Sequence, residues 1–505
     1  MRVSTAILMT RGAGATLEAY LVRRSEHLRF FGGYWAFPGG VVDSGDVDGD
    51  PESDGTHRYC GLRELFEETG VLPSAWADSL TDADRREMRR ALLAHRAPSD
   101  DDGASIFRAL VDRDPTPLAG VRPFARLTTP AFAPVRYRTC FVQLELPLGQ
   151  TPDVWPGELT EGEFATPAVW LERWRAGELA IAPPVVFLLD LLAGKPLGEF
   201  LEQAERRCLE SEAGRWHPIC NTPGILMVPL PTITLPPATT TNCYIVGDER
   251  LFVVDPATRD LEAQRRLFAF LDERLARAGT QSSLAGVLVT HHHADHVGAV
   301  DAVATRYACP VYAHPLTLAR LPEQPVDPRP LEDGDEVMLG TAPDGSPGWV
   351  LRVHRTPGHD RGHLVFIESR YLAALAGDLA STVSSIIIDP PEGHLSTYLR
   401  SLRRMLDRPM GMLHPAHGPV AREGKRLLSS YLKHRAQREE ALVVALERGG
   451  ERVAELVAEV YRDVAPELHG FAGRSLSAGL EKLAEDGRVV RRGEKWALVD
   501  RSTDG

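Results

Sequence analysis

Residues 290–298 read THHHADHVG and follow directly on the apolar run at 284–289, LAGVLV. A short apolar run bounded by a polar cluster predicts a buried strand, with the cluster on the loop at its C-terminal end, where α/β folds place their sites. Within that loop His291, His293, Asp295 and His296 have the spacing HxHxDH. Three imidazoles and a carboxylate so close together suit a borderline metal such as Zn²⁺, and Asp295 can either bind a metal or accept a proton.

A metal site needs further ligands from distant loops, and the chain supplies them in order: His359 in HRTPGHDRGH, Asp378 in LAGDLAS and His417 in HPAHGP. Each follows an apolar or β-rich run and is flanked by Gly or Pro, which places it at a strand end on a tight turn. With Asp255 at the end of an earlier strand, these stations resemble the metallo-β-lactamase superfamily in number, order and spacing. The resemblance implies an αββα sandwich with two Zn²⁺ ions. His291, His293 and His359 would hold one metal, Asp295, His296 and His417 the other, and Asp378 would bridge both. An aspartate bridge is the pattern of glyoxalase II-like thioesterases and of phosphodiesterases, whereas the best-known zinc β-lactamases carry cysteine there. Two dications sharing a water lower its pKa towards about 7 and polarise the scissile carbonyl or phosphoryl group, so no Ser or Cys nucleophile is needed. Of the other histidines, His292 is expected to point away from the metals and His314 and His354 to end strands. His363 and His414 are candidates for contacting substrate or carboxylates around the site.

The chain has 505 residues, which at about 150 per domain predicts three domains, with boundaries at 1–210, 222–425 and 426–505. The net charge of −13 argues against a protein whose whole surface grips nucleic acid or an anionic membrane. The cysteines Cys60, Cys140, Cys208, Cys220, Cys243 and Cys309 are scattered without a CxxC pair, which fits a reducing compartment. With no signal-peptide pattern and no apolar run of about 18 residues, the expectation is a cytoplasmic protein without membrane contact.

In the first domain, alternating runs at 3–9 and 17–23 predict a β-hairpin, followed by YWAFPGGVVD at 34–43 and HRYCGLRELFEETGV at 57–71. On a helix Glu64, Glu67 and Glu68 share one face and repel one another unless a cation lies between them, and oxygen-only ligation favours Mg²⁺ or Mn²⁺. This segment resembles the signature of the Nudix hydrolases, an α/β/α sandwich fold. Arg63, Glu64, Leu65, Glu67, Glu68, Gly70 and Val71 match its second half and Gly40 its first glycine. Asp46 replaces the first glutamate, and nine extra residues precede Arg63. The resemblance implies that Glu67 and Glu68 ligate the metal, that Glu64 ligates it or acts as catalytic base, and that Arg63 orients the glutamates. Upstream, Arg24, Ser25, Arg29, Gly33 and the FPGG ending at Gly40 have the spacing of CoA diphosphatases, although Tyr20, Leu21 and Val22 replace the expected Leu-Leu-Thr.

The helix-prone stretch at 75–113, interrupted by APSDDDG at 97–103, carries Arg85, Arg86, Arg89 and Arg90, read as a solvated basic face. Residues 170–194 predict two short helices around a Pro-Pro break, and the Pro- and Thr-rich 222–242 reads as linker passing into edge strands.

Residues 427–448 predict one long helix ended by Gly449 and Gly450, followed by helices at 453–461 and 475–486 and a hairpin, RVVRRGEKWALV, at 488–499. Three helices and a two-stranded wing make a winged-helix pattern. It resembles the C-terminal domain of the β-lactamase-like protein 2 group, which includes animal endoribonucleases acting on single-stranded RNA. Arg488, Arg491, Arg492, Lys495 and Trp496 form a basic wing with an aromatic, suited to phosphates and base stacking. The other reading of this domain is that it packs beside the mouth of the metal site.

The sequence therefore describes a multidomain chain of α/β and α+β class and leaves three functions open. The first is a two-headed metallo-hydrolase: a dinuclear zinc site cleaving a thioester or ester, and a Nudix pyrophosphatase acting on a nucleoside diphosphate derivative such as CoA or acyl-CoA. The second is a phosphodiesterase on single-stranded RNA with the winged helix as RNA-binding module. The third is a nucleotide-sensing protein with a vestigial Nudix domain.

Overall fold

The computed structural model describes residues 1–28, 30–47, 49–94, 102–278 and 283–499. Arg29 of the CoA-diphosphatase-like spacing, and residues 97–101 of the APSDDDG break, lie outside them. The chain divides into two compact units, Met1–Pro223 and Gly224–Gly505.

In the first unit the predicted hairpin is present as strands Arg2–Arg11 and Glu18–Arg24. Arg2–Arg11 also runs parallel to Tyr137–Glu145 and antiparallel to Gly39–Val41, so it lies at the centre of a mixed sheet. Helix Asp54–Thr69 begins at Ser53, whose side chain accepts the Thr56 N–H, and ends at Gly70 in the left-handed region with φ 70°. It lies close on the sheet because Gly61 faces it: a Cβ there would come 3.1 Å from Val142. Leu62, Leu65 and Phe66 of this helix pack with Ile7, Met9, Val142, Trp76 and Phe107 in the core.

Helix Asp82–Ala94 corrects one expectation. Arg86 and Arg90 are exposed as anticipated, but Arg89 is only 5% exposed. Its guanidinium donates to the carbonyls of Glu67 (2.8 Å), Glu68 (2.7 Å) and Asp153 (2.7 Å). Helix ends leave carbonyls without intrahelical partners, and a cation there satisfies them and the helix dipole together. Arg89 thus caps the helix that carries the three glutamates. The two helices are present as Pro167–Arg175 and Pro183–Leu192, and the Pro-Pro pair opens the second of them at its first two positions. A further helix, Leu197–Glu212, packs Phe200 on Phe124 of strand Arg122–Thr128.

Among the described residues, the second unit holds two large sheets besides its C-terminal hairpin. One runs in the order Pro328–Pro330, Val311–Ala313, Leu284–Leu288, Leu251–Val254, Thr240–Val246, Ile225–Pro231, and the other Glu336–Gly340, Trp349–Arg355, Leu364–Glu368, Ala374–Gly377, Leu413–Pro415. Part of the stretch read as linker is strand: Ile225–Pro231 pairs with Thr240–Val246 along its length and buries Ile225, Met227, Val228 and Leu230. Its prolines, Pro229 and Pro231, masked the apolar alternation. Helices Leu395–Leu406 and Gly424–Glu447 cover the second sheet through Tyr398, Leu402, Leu428 and Tyr431.

The winged-helix pattern is present as Gly424–Glu447, Val453–Val460, His469–Glu485 and the hairpin Val489–Arg492 with Lys495–Leu498. Among the described residues no helix is long and apolar enough to cross a membrane. All six cysteines are free and buried.

Candidate metal centre

Each station of the second unit lies just past a strand: Asp255 after Leu251–Val254, Thr290 after Leu284–Leu288, Asp378 after Ala374–Gly377, His417 after Leu413–Pro415, and His359 on the turn after Trp349–Arg355. Asp255 takes φ 48°, rare for a residue with a Cβ, and this turns its carboxylate back onto the THHHADHVG loop. There it accepts the Thr290 N–H (2.8 Å) on Oδ1, and the Thr290 Oγ1–H (2.7 Å) and His296 Nδ1–H (2.8 Å) on Oδ2.

These bonds fix the tautomers. The hydroxyl proton of Thr290 is committed to Asp255, so its Oγ1 accepts from His291 Nδ1 at 3.0 Å, and His291 Nε2 is left as a lone pair. His359 Nδ1 donates to the Ile387 carbonyl at 2.8 Å, which leaves its Nε2 a lone pair as well. Both lone pairs face His293 Nδ1 at 3.0 Å. At most one of those two contacts can be a hydrogen bond, whereas a cation satisfies all three nitrogens. Burial lowers the basicity of His293, to a pKa of about 3, and of His291, well below the usual value. Both rings are thus neutral, as metal ligation requires.

The second half of the site follows the same logic. His417 Nδ1 donates to the Thr240 carbonyl at 3.1 Å, and its Nε2 lies 3.6 Å from Asp295 Oδ2 and 3.4 Å from Asp378 Oδ1. His296 Nε2 and Asp378 Oδ1 are 3.6 Å apart, both buried and both without a hydrogen-bond partner. Asp378 Oδ2 lies 3.4 Å from His359 Nε2, so this one carboxylate faces both sets of histidines. Burial disfavours its charge, but His417 and His296 outweigh burial and hold the Asp378 carboxyl well below the usual range. The ligand atoms of His291, His293 and His359 lie within 4.8 Å of one another, and so do those of His291, His296 and Asp378, and of Asp295, His296 and His417. Burial lowers the basicity of His296, but Asp378 and Asp255 outweigh it and raise its pKa well above the usual value. Without an ion a proton therefore stands between His296 and Asp378, and a divalent cation fits the place of that proton.

Three other histidines are placed by the structure. His363 is fully buried, donates Nδ1–H to Thr356 Oγ1 at 2.7 Å and accepts the Asp378 backbone N–H on Nε2 at 3.0 Å. It positions Asp378 from behind. His414 is buried against Tyr244 (5.4 Å between ring centroids), which leaves it no access to substrate. His292 turns its Nδ1 to Asp360 Oδ2 at 2.7 Å, and with His293 these atoms form a further cluster of possible ligands. Asp360, unnoticed in sequence, is buried, and its close contact with His292 outweighs burial to hold its carboxyl well below the usual range.

In the first unit Glu64, Glu67 and Glu68 are all buried on helix Asp54–Thr69. Glu68 accepts the Gly39 N–H at 2.8 Å. Arg63 lies 2.8 Å from Glu67 and 3.0 Å from Glu64, and donates to both oxygens of Asp46 at 2.7 Å. Asp46 therefore meets Arg63 despite the nine-residue insertion, part of which is taken up by the helix itself, which begins at Asp54, nine residues before Arg63. Gly40 is where the loop meets the site, since a Cβ there would fall 2.3 Å from Glu64 Oε1.

His57 on the same helix is buried against Thr5 Oγ1 (2.9 Å), and burial lowers its pKa from 6.5 to about 4. Between those values the unfolded chain binds a proton that the folded chain does not. The first unit is therefore expected to keep this contribution above pH 6.5 and to lose it as the pH falls towards 4. His57→Gln should flatten that part of a plot of melting temperature against pH.

The wing differs from its sequence reading. Trp496 is 7% exposed and packs with Leu446, Leu456, Leu480 and Val489, so its ring is not available for stacking on a base. Alternation along Lys495–Leu498 turns it inward. Arg488 is paired with Glu439 at 2.7 Å and Lys495 with Glu451 at 2.5 Å, which neutralises half of the basic patch. Trp496→Ala is expected to destabilise the winged helix by about 3–5 kcal/mol, read as a lower unfolding midpoint in urea.

A buried His/Asp cluster at the strand ends of two sheets is one that could hold metal ions, as the metal-dependent hydrolases do. Comparison with known families agrees: residues 236–417 match the Metallo-beta-lactamase superfamily, 1–117 the NUDIX domain, and 453–496 the Beta-lactamase associated winged helix domain. The chain is thus a metallo-β-lactamase superfamily hydrolase fused to a Nudix domain and carrying a winged helix. It is 28% identical over 282 residues to an Atrochrysone carboxyl ACP thioesterase of Aspergillus fumigatus, covering 52% of this chain and 61% of that one. It is also 28% identical over 261 residues to a Beta-lactamase-like protein 2 homolog of Drosophila melanogaster, covering 49% and 84%. A metallo-beta-lactamase family protein of Thermus thermophilus aligns with it at 25% identity and TM-score 0.44, covering 55% of this chain and 99% of that one.

Proposed function

We propose that the centre in the second unit holds two Zn²⁺ ions and hydrolyses a thioester or ester of a small metabolite. The Nudix head, loaded with Mg²⁺ or Mn²⁺, cleaves the pyrophosphate of a nucleoside diphosphate derivative such as CoA or acyl-CoA. The observation that carries the first reading is Asp378, one buried carboxylate 3.4–3.6 Å from His296, His359 and His417. Nitrogen-rich triads sharing an aspartate suit Zn²⁺, and the three glutamates of the Nudix helix suit a harder cation. When bound, two divalent cations supply Lewis-acid polarisation of the scissile group and a water acidic enough to attack near neutral pH. The chain's own part is orientation: Thr290 and the Ile387 carbonyl aim His291 and His359, Asp255 aims His296, and His363 holds Asp378.

A thioesterase among the relatives supports the thioester over other bonds. The buried Trp496 and the paired wing cations disfavour RNA as substrate. Free, buried cysteines fit a cytoplasmic enzyme. The test is turnover of acyl-CoA, ADP-ribose and a single-stranded RNA by wild type, Asp295→Ala and Glu67→Ala. The expected result is thioester cleavage lost only in Asp295→Ala and pyrophosphate cleavage lost only in Glu67→Ala. RNA cleavage abolished by Asp295→Ala would overturn the metabolite reading.

A further inference from the structure

The loop from Leu379 to Ile388 touches three of the proposed metal ligands. It follows Asp378 directly. Its Ile387 carbonyl accepts the His359 Nδ1–H at 2.8 Å, and its Ser381 Oγ and Thr382 N–H reach the His417 carbonyl at 3.2 and 3.3 Å. Whatever fixes this loop therefore fixes the direction in which the His359 lone pair points.

Helix Gly424–Glu447, the stem of the winged helix, holds it. Tyr431 Oη accepts the Ser381 N–H at 2.9 Å and lies 2.9 and 2.6 Å from the carbonyls of Ser381 and Ser384. Burial pushes the phenol up to about 12, so it stays a donor at neutral pH. One turn on, the Arg435 guanidinium donates to the Ile386 carbonyl, in the residue next to the one that orients His359. Arg435 is buried beside Tyr398 (5.6 Å to the ring), and among the described residues no carboxylate pairs with it. A buried cation whose partners are the Ile386 carbonyl and Tyr398 is an expensive way to close a helix–loop contact, unless the position of that loop matters. The winged helix adds outer ties: Arg474 pairs with Asp389 at 3.0 Å, and Glu485 lies 2.5 Å from both His394 and Ser396.

We propose that Tyr431 and Arg435 are positioning residues of the metal centre, and that the C-terminal winged helix acts through them as a clamp on the loop that aims His359. The proposal rests on the metal-centre reading above. Neither residue touches the site. They act on the ring through the loop, as hydrogen-bond partners behind a ligand act elsewhere.

The test is competitive titration of the metal-depleted full-length chain with Zn²⁺ against a chromogenic chelator, with the visible spectrum of the Co²⁺-loaded chain as second readout. Tyr431→Phe and Arg435→Met should each weaken metal binding roughly 10–100-fold and shift the Co²⁺ spectrum, with Arg435→Lys recovering part of the loss. Arg438→Met, on the same helix but paired with Asp463 inside the winged helix, should bind Zn²⁺ as wild type does. Equal affinity and spectrum in wild type, Tyr431→Phe and Arg435→Met overturns the proposal, even if the variants melt earlier. If Tyr431→Phe does not fold, the comparison of Arg435→Lys with Arg435→Met decides. A wild type that binds no Zn²⁺ overturns the metal-centre reading and this proposal with it.

Discussion

Asp378→Ala is expected to slow thioester hydrolysis by roughly three orders of magnitude, about 4 kcal/mol of transition-state stabilisation, while pyrophosphate cleavage by the Nudix head is unchanged. Asp378 is the one carboxylate that faces both triads, with His359 Nε2 on one oxygen and His296 and His417 on the other. Its removal leaves the nitrogens of two half-sites converging without the anion that ties them together. Metal content should fall from two per chain to one or fewer. Asp378→Asn separates charge from shape: the amide keeps the volume but brings N–H groups to a place where acceptors converge, so it too should lose activity. Steady-state rates with acyl-CoA, set beside metal analysis of the same samples, check both outcomes.

Arg63→Met has the largest expected effect on the first unit. Arg63 is 3% exposed, donates to both oxygens of Asp46, and lies within 3.0 Å of Glu64 and Glu67. Burial works against its charge, but Glu64 and Asp46 raise its pKa well above the usual value, so the guanidinium is always charged there. Removing it leaves buried carboxylates facing one another, which costs about 3–5 kcal/mol when one partner of a buried pair is lost. The first unit should unfold at a lower temperature and lose pyrophosphate cleavage, with thioester hydrolysis by the second unit retained. Arg63→Lys should rescue little, because an ammonium cannot make the forked contact with Asp46. Differential scanning calorimetry of the full chain, in which a selective shift of one transition is expected, measures this directly.

How much of this was legible in the sequence depended on whether a residue acts through spacing or through orientation. That the HxHxDH loop, His359, Asp378 and His417 come together could be read because each follows an apolar run that announces a strand, and the turns at strand ends lie side by side. Asp46 was legible as a substitute for glutamate, since its distance from Gly40 survives the insertion. His363 is legible only as a candidate for contacting substrate or a carboxylate and Asp360 not at all, because which way a ring or a carboxylate turns is set by partners such as Thr356 and His292, unmarked in sequence. Arg89 read as solvated because its neighbours are, and only the packing of its helix shows it reaching the carbonyls of Glu67 and Glu68. Trp496 was read as a stacking surface because an aromatic among cations invites that reading, whereas strand alternation places it in the core. The first long helix of the winged pattern was predicted within a few residues. Its contact with the metal-site loop was not, since Tyr431 and Arg435 bind backbone carbonyls, which leave no pattern in a sequence.

Everything proposed for the second unit depends on a dinuclear centre built from His291, His293, Asp295, His296, His359, Asp378 and His417. Metal analysis of the purified full-length chain, beside that of His291→Ala, tests it most directly. The predicted result is close to two Zn²⁺ per wild-type chain, fewer in His291→Ala, and thioester hydrolysis that falls with the metal and returns when Zn²⁺ is restored to the metal-depleted wild type. A well-folded wild type that carries no metal and hydrolyses its substrate regardless would contradict it.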